Sequence, residues 1–227
     1  MSHFSEEMQM IDWGRRIWPR ASRPLATILL CGVVVTSLQG CIEMAIGTAV
    51  MGTIAATDRR TLGAQTEDKA IAVKAETRLP QMFGDTAHVN TNSFNRRVLL
   101  TGEVRDERAK AEVEREVTAI QAVKSVVNEL VIASPSSFSD RANDTLLTSK
   151  VKASFIDTKD LYANSIKVVT ERSAVYLMGR VTQREANIAT EVARGVNGVQ
   201  KVVKVFELID DEEYRRLTTT NGTVNDK

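Results

Sequence analysis

Val175-Tyr176-Leu177-Met178-Gly179-Arg180-Val181 has a counterpart 77 residues earlier, Val98-Leu99-Leu100-Thr101-Gly102-Glu103-Val104. Each copy runs through branched or aromatic residues to a glycine and closes on a valine. That pattern predicts a buried strand with a glycine near its end. Glycine inside a strand marks a bulge or a close backbone approach, so Gly102 and Gly179 are expected to be structural. One such strand would mean little, but two in matching surroundings predict a duplicated domain.

The surroundings do match. Val89-Asn90-Thr91-Asn92 and Ile166-Lys167-Val168-Val169 each predict a strand joined to the glycine strand by a polar turn. Helical stretches follow at 106–119 and 182–194, leading into closing strands at 120–127 and 196–203. A further helix precedes each hairpin, at 67–79 and 144–155. The order is α-β-β-α-β, run twice. Two copies fall short of a solenoid, so the expected fold is α+β: two tandem small domains. In each, the helices would pack on a small three-stranded mixed sheet. Ala109, Val113, Val117 and Ile120 make one apolar stripe for that packing. The 104–126 connection is long enough for a helical crossover, which makes the last strand parallel to the glycine strand. Thr182-Gln183-Arg184-Glu185 has the spacing of a capping box.

The chain begins with a presequence. Arg15, Arg16, Arg20 and Arg23 precede an apolar run over 25–38, followed by Leu38-Gln39-Gly40-Cys41. A basic flank, a short apolar core and a small residue before a cut are the parts of a secretory signal. The cysteine after the cut resembles a lipobox, which implies that Cys41 is the lipid attachment point. An uncleaved anchor over 25–42 is the other reading, near the lower limit for a span and interrupted by polar residues. Both readings place the domains outside the cytoplasm. Removing residues 1–40 takes four of the 30 basic and three of the 29 acidic residues, leaving 26 of each. A neutral chain argues against nucleic acid as a partner. Cys31 and both tryptophans, Trp13 and Trp18, leave too, so no internal disulfide is expected. Residues 42–56 are apolar and small, fitting a tether or a segment lying at the bilayer surface.

The expected division is a signal peptide at 1–40, a lipidated tether at 41–66, domains at 67–133 and 144–209, a linker at 134–143 and a disordered tail at 210–227. The linker rests on the Ser- and Pro-rich composition around Pro135, and the tail on its polar sequence.

Catalysis has little to work with. His88 alone survives removal of the leader, and the remaining cysteine is the attachment point, so no His/Cys metal cluster and no cysteine–histidine pair can be assembled. His88 reads as a strand-edge residue. Glu112, Glu114, Glu116, Glu185 and Glu191 sit beside basic residues in helical stretches, as on a solvated face. No enzyme activity, catalytic residue, metal, cofactor or small-molecule substrate is expected.

The first helices of the two copies differ. In the first copy, 67–79 is mixed in charge, and its face around Ile71 and Lys74 also carries Glu67, Asp68 and Glu76. The second copy, from 144 to 156, has no acid after Asp144. Leu147, Val151 and Phe155 form its core face, which leaves Leu146, Lys150, Ile156 and Lys159 for another face or the helix end. Exposed apolar residues beside lysines suit an anionic phospholipid surface. Packing of Leu146 and Ile156 into the seam between domains is the competing reading.

The element order, together with Asp58-Arg59-Arg60-Thr61-Leu62-Gly63-Ala64-Gln65, Asn143-Asp144-Thr145 and Leu177-Met178-Gly179-Arg180-Val181-Thr182-Gln183-Arg184-Glu185-Ala186, resembles the BON domain over about 57–209. Two such domains after a lipoprotein signal resemble the dual-BON outer-membrane lipoproteins. The resemblance implies a lipid-anchored protein in the outer membrane facing the periplasm, since Ile42 rather than aspartate follows Cys41. It implies anionic phospholipid contact through the first helix of the second domain, with Leu146 standing where relatives carry tryptophan. It also implies a part in envelope integrity, with outer-membrane assembly or division-site proteins as partners. The alternative from another class is a periplasmic protein-binding adaptor for an outer-membrane assembly or cell-wall machine.

Overall fold

The two hairpin turns carry no glycine, yet both central residues of each have positive φ: Asn95 and Arg96 in the first copy, Arg172 and Ser173 in the second. Such turns match strand twist but cost free energy for residues with a Cβ. The same device holds both. Asp68 accepts from Asn95 N and Arg96 N at 2.8 and 2.7 Å, and Asp144 accepts from Arg172 N and Ser173 N at 2.8 and 2.9 Å. Each carboxylate comes from the helix that precedes its hairpin, so the helix also fixes the turn.

In the computed structural model residues 58–222 are described, and they belong to one compact unit. The first domain runs α1 (Leu62–Phe83), β1 (His88–Phe94), β2 (Arg97–Val104), α2 (Glu107–Thr118), β3 (Ser125–Asn128) and β4 (Val131–Ile132). The second runs α3 (Phe138–Ile156), β5 (Ile166–Glu171), β6 (Ala174–Val181), α4 (Gln183–Gly195) and β7 (Lys201–Leu208), followed by α5 (Asp211–Gly222). In both, the hairpin is antiparallel and the closing strand parallel to the glycine strand. The first closing strand is interrupted at Glu129 and Leu130 but resumes in the same register, Leu100 opposite Asn128 and Glu103 opposite Val131.

Alternation along β2 and β6 explains their unbroken apolar runs. Val98 and Leu100 face α1 and α2 with Ile71, Val113 and Val117, and Val175 and Leu177 face α3 and α4 with Val151, Phe155 and Ala189. The intervening Leu99, Tyr176 and Met178 face the other way and meet one another, with Phe94 and Val205, in a third cluster. The two sheets therefore pack back to back. A strand buried on both faces needs apolar residues at every position, not at alternate ones.

Both glycines of the repeat lie where the chain approaches itself. Gly102 has φ +112°, and a Cβ there would overlap His88 O. At Gly179 a Cβ would stand 2.6 Å from Ser165 O.

Several boundaries differ from expectation. α1 begins at Leu62, not residue 67, because Thr61 caps it by accepting from Ala64 N at 3.1 Å. Residues assigned to the tether thus belong to the first domain. α3 begins at Phe138, six residues before the expected start, on a capping box between Ser137 and Asp140. The second closing strand starts at Lys201 and runs to Leu208, because Val196–Gln200 turns before pairing, with Gln200 N donating to Ser173 O at 2.9 Å. The tail expected to be disordered forms α5. Asp210 caps it by accepting from Glu213 N at 2.7 Å, three acids fill its first turn, and Glu212 pairs with Arg216 one turn on. Residues 1–57 and 223–227 lie outside the described residues, so the expected leader, the Cys41 attachment point and most of the tether do too.

The strap ahead of α1 docks on the second domain. Arg59 is buried, and its guanidinium grips Glu185 with two bonds of 2.6 and 2.8 Å while donating to Arg180 O at 2.9 Å. Tyr214 of α5 and Tyr162 lie against it, 4.8 and 5.6 Å from ring centre to guanidinium carbon. Glu185 is therefore no solvated acid. It closes the capping box of α4 with Thr182 and receives Arg59 on the same carboxylate.

Candidate membrane interface

α3 is built so that its acids are occupied and its lysines are not. Ser137 N donates to Asp140 Oδ2 at 3.1 Å and Asp140 N returns a bond to Ser137 Oγ at 3.2 Å. The Ser137 hydroxyl and backbone donors hold the Asp140 carboxyl below its usual range. Asp144, the second acid of the helix, points inward to the hairpin turn. Lys150 and Lys152 are exposed and, among the described residues, form no ion pair; Lys159 follows in the turn after the helix, also exposed.

The helix's two sides separate cleanly. Leu147, Val151 and Phe155 are buried against β5 and the second core. On the opposite side Leu146 is 60% exposed and Ile156 74%. Neither enters the seam between domains, which Phe94, Leu99, Tyr176, Met178 and Val205 fill. Phe138, 81% exposed, joins them: spacings of eight and ten residues from Leu146 bring Phe138 and Ile156 to its side of a helix with 3.6 residues per turn. Of the four residues expected at a lipid contact, the structure thus brings Leu146, Lys150 and Ile156 to the outer side of α3 and puts Lys159 just past its end. Phe138 was missed because it falls in a stretch whose composition reads as linker. The signal that would have found it is Ser137 followed three residues on by Asp140, a helix start.

Aligning the two hairpin-capping acids, Asp68 with Asp144, sets the first-domain helix beside the second. Ala70 then answers Leu146, Lys74 answers Lys150 and Pro80 answers Ile156. Ile71, expected on the matching outer face, answers Leu147 and is buried in the first core. Phe138 answers Leu62, which is also exposed at 74%, so α1 shares that one large apolar position and lacks the other two, at Ala70 and Pro80.

A second constellation was invisible in the sequence. His88, read as a plain strand-edge residue, has Nδ1 3.0 Å from Glu103 Oε2, and Glu171 of the second domain completes a group whose ligand atoms lie within 4.8 Å of one another. Glu103 is fully buried and also accepts from Arg172 Nη1 at 3.2 Å. Burial raises the Glu171 carboxyl pKa above the usual value, with repulsion from Glu103 and Asp144 adding to it, while Asn90 donates to it at 2.7 Å. Arg172 supplies the counter-charge that a cation would otherwise provide. The group fastens the domains together more readily than it offers an open coordination site.

The BON-domain family model matches twice, at residues 67–134 and 143–210. The chain belongs to the BON-domain family. Outer membrane lipoprotein DolP of Haemophilus influenzae is 35% identical over 175 residues, covering 76% of this chain and 91% of that protein. The 21 kDa hemolysin of Actinobacillus pleuropneumoniae is 27% identical over 154 residues, covering 67% and 79%, and Osmotically-inducible protein Y of Escherichia coli is 34% identical over 139 residues, covering 57% and 65%. With two BON domains and that kinship it is a dual-BON protein of the DolP type, an outer-membrane lipoprotein. Among the described residues no helix of this BON protein is long and apolar enough to cross a membrane.

Proposed function

We propose that this protein is a non-enzymatic, lipid-anchored, periplasm-facing BON lipoprotein whose second domain binds anionic phospholipid through the outer side of α3, and which thereby supports envelope integrity at the division site. The carrying observation is the pairing of exposed Phe138, Leu146 and Ile156 with exposed Lys150, Lys152 and Lys159 on and just after a helix whose own carboxylates, Asp140 and Asp144, are engaged. Burying one large apolar side chain contributes about 1.5–3 kcal/mol, and a lysine near an anionic surface about 1 kcal/mol. A contact of that size is weak alone. Acylation at Cys41 makes it intramolecular and raises its effective concentration to the millimolar range.

The test is co-sedimentation of the full chain and its Cys41→Ala form with vesicles of phosphatidylcholine, with and without phosphatidylglycerol. The Cys41→Ala form should still bind the anionic vesicles and leave the zwitterionic ones. If it stays in solution with both, α3 is no lipid contact and the protein-adaptor reading replaces it.

A further inference from the structure

Where α1 passes the start of β5, the seam between domains opens into a cavity of about 330 Å³. Arg60, Gln65, Asp68 and Lys69 line it from the first domain, Asn164 and Lys167 from the second. Lys167 is the unusual member. Its neighbours Ile166 and Val168 face the second core, so strand alternation turns Lys167 to the seam. There its ammonium meets one acceptor among the described residues, Ser93 O at 3.5 Å, the outer limit of a hydrogen bond. Burial lowers the Lys167 pKa from the ordinary lysine value, and repulsion from Arg60 and, more weakly, from Lys152 adds to this.

The nearby carboxylates do not neutralise it. Asp68 is saturated by Ser93 Oγ, Asn95 N, Arg96 N and Arg60 Nη1, all at 2.6–2.8 Å. Asp58 is gripped by Arg60. Glu76 is exposed on α1 and acts on Lys167 less than Arg60, Asp68 or Lys152 does. Among the described residues, Lys69, Lys152 and Lys167 enter no ion pair. A desolvated cation without a counter-ion is costly, and an anion entering the cavity would offset that cost.

We propose that this cleft binds a phosphate-bearing anion. A phosphate accepts several hydrogen bonds from different directions, and the cleft offers the ammonium groups of Lys69 and Lys167 and the Gln65 side chain around one cavity. The phosphate has two possible sources, a phospholipid headgroup or a free phosphate ester. Because the cleft lies in the seam and not on the outer side of α3, the proposal does not depend on the membrane contact.

Isothermal titration of the full-length protein in dodecyl maltoside micelles at pH 7 tests it. The probes are inorganic phosphate, glycerophosphoglycerol (the deacylated headgroup of phosphatidylglycerol) and acetate, at matched ionic strength. A phosphate probe should bind saturably and at least tenfold more tightly than acetate. Lys167→Gln should weaken it about tenfold, Lys69→Gln several-fold, and Leu146→Asn not at all. Tighter glycerophosphoglycerol binding identifies a lipid headgroup as the source, and tighter inorganic phosphate binding a free ester. Absence of saturable binding, equal affinity for acetate, or unchanged affinity in the lysine variants overturns the proposal. Should Lys167→Gln fail to fold, Lys69→Gln decides, because Lys69 is exposed and bears no fold-critical contact.

Discussion

Arg59 and Glu185 stand 126 residues apart in sequence and 2.6 Å apart in the structure, in a buried bidentate pair. The pair ties the entry to the first domain onto the first turn of α4 in the second. Arg59 and Arg60 thus meet the second domain and α1 ahead, in chain order, of the first domain's own helices and strands. Arg180 reinforces the strap by donating to Arg59 O at 3.0 Å and pairing with Glu213 of α5.

Removing Arg59 would leave Glu185 buried without its partner. Arg59→Ala should destabilise the protein by about 3–5 kcal/mol, as for other broken buried pairs. Burial alone would raise the Glu185 carboxyl pKa, but the bonds from Arg59 and Thr182 overcome it and hold it below the usual value. The pair's stabilisation is therefore present above the ordinary carboxyl range and lost as pH falls through the lowered value. Urea denaturation at pH 7 and pH 4 checks this: the deficit of Arg59→Ala should be largest at pH 7 and shrink at pH 4.

Glu171 has the opposite sign. Its pKa is raised by burial, so stability is greatest below the unfolded carboxyl pKa and declines as pH rises through the folded value. Glu171→Gln keeps an acceptor for Asn90 but removes the charge beside Glu103. It should be more stable than the parent near pH 7 and no more stable near pH 4, as read from thermal melts across that range.

The two repeat glycines should differ in cost. Gly179→Val puts a Cβ 2.6 Å from a backbone oxygen and should cost more than about 1 kcal/mol, the ordinary glycine propensity difference. Gly102→Ala adds strain from positive φ to an overlap with His88 O and should cost more than Gly179→Ala. Melting temperatures of the three variants rank them.

Apolar and charged parts of the lipid contact should respond differently to salt. Leu146→Asn or Ile156→Asn should weaken binding to phosphatidylglycerol vesicles at every ionic strength, since buried apolar area is lost. Lys150→Gln and Lys159→Gln should cost about 1 kcal/mol each at low salt and little at 1 M, where the screening length is about 3 Å. Phe138→Ser should behave like the leucine variant. Co-sedimentation at two salt concentrations separates the classes.

The proposed cleavage and acylation at Cys41 would have a simple optical signature. Trp13 and Trp18 both precede the cut, so the processed protein should show tyrosine emission only. Mass spectrometry should find Cys41 N-terminal and acylated, and Cys41→Ala should remain unacylated and leave the membrane fraction.

The duplication, the element order and the strand directions were legible in the sequence, because they rest on local rules. A glycine-closed apolar run, a helical stripe at Ala109, Val113 and Val117 and the Thr182–Glu185 spacing each report geometry set within a few residues. The same rules allowed Leu146, Lys150 and Ile156 to be set apart from the core face of their helix. Partners distant in the chain were not legible. Glu185 reads as a solvated helix acid until Arg59 is brought to it, and His88 as a strand edge until Glu103 and Glu171 flank it. The apolar run of β6 shows burial on both faces but cannot say what covers the second one; the back-to-back packing of Tyr176 and Met178 on Leu99 does. Composition misled where a cap outweighed it, at Ser137 before α3 and Asp210 before α5, since one or two hydrogen bonds can start a helix in a stretch that otherwise reads as loop. Sequence thus determined the two α-β-β-α-β units. Tertiary structure decided how the sheets meet, which charges are buried together and which side of α3 faces outward, because those depend on contacts between residues that no local pattern connects.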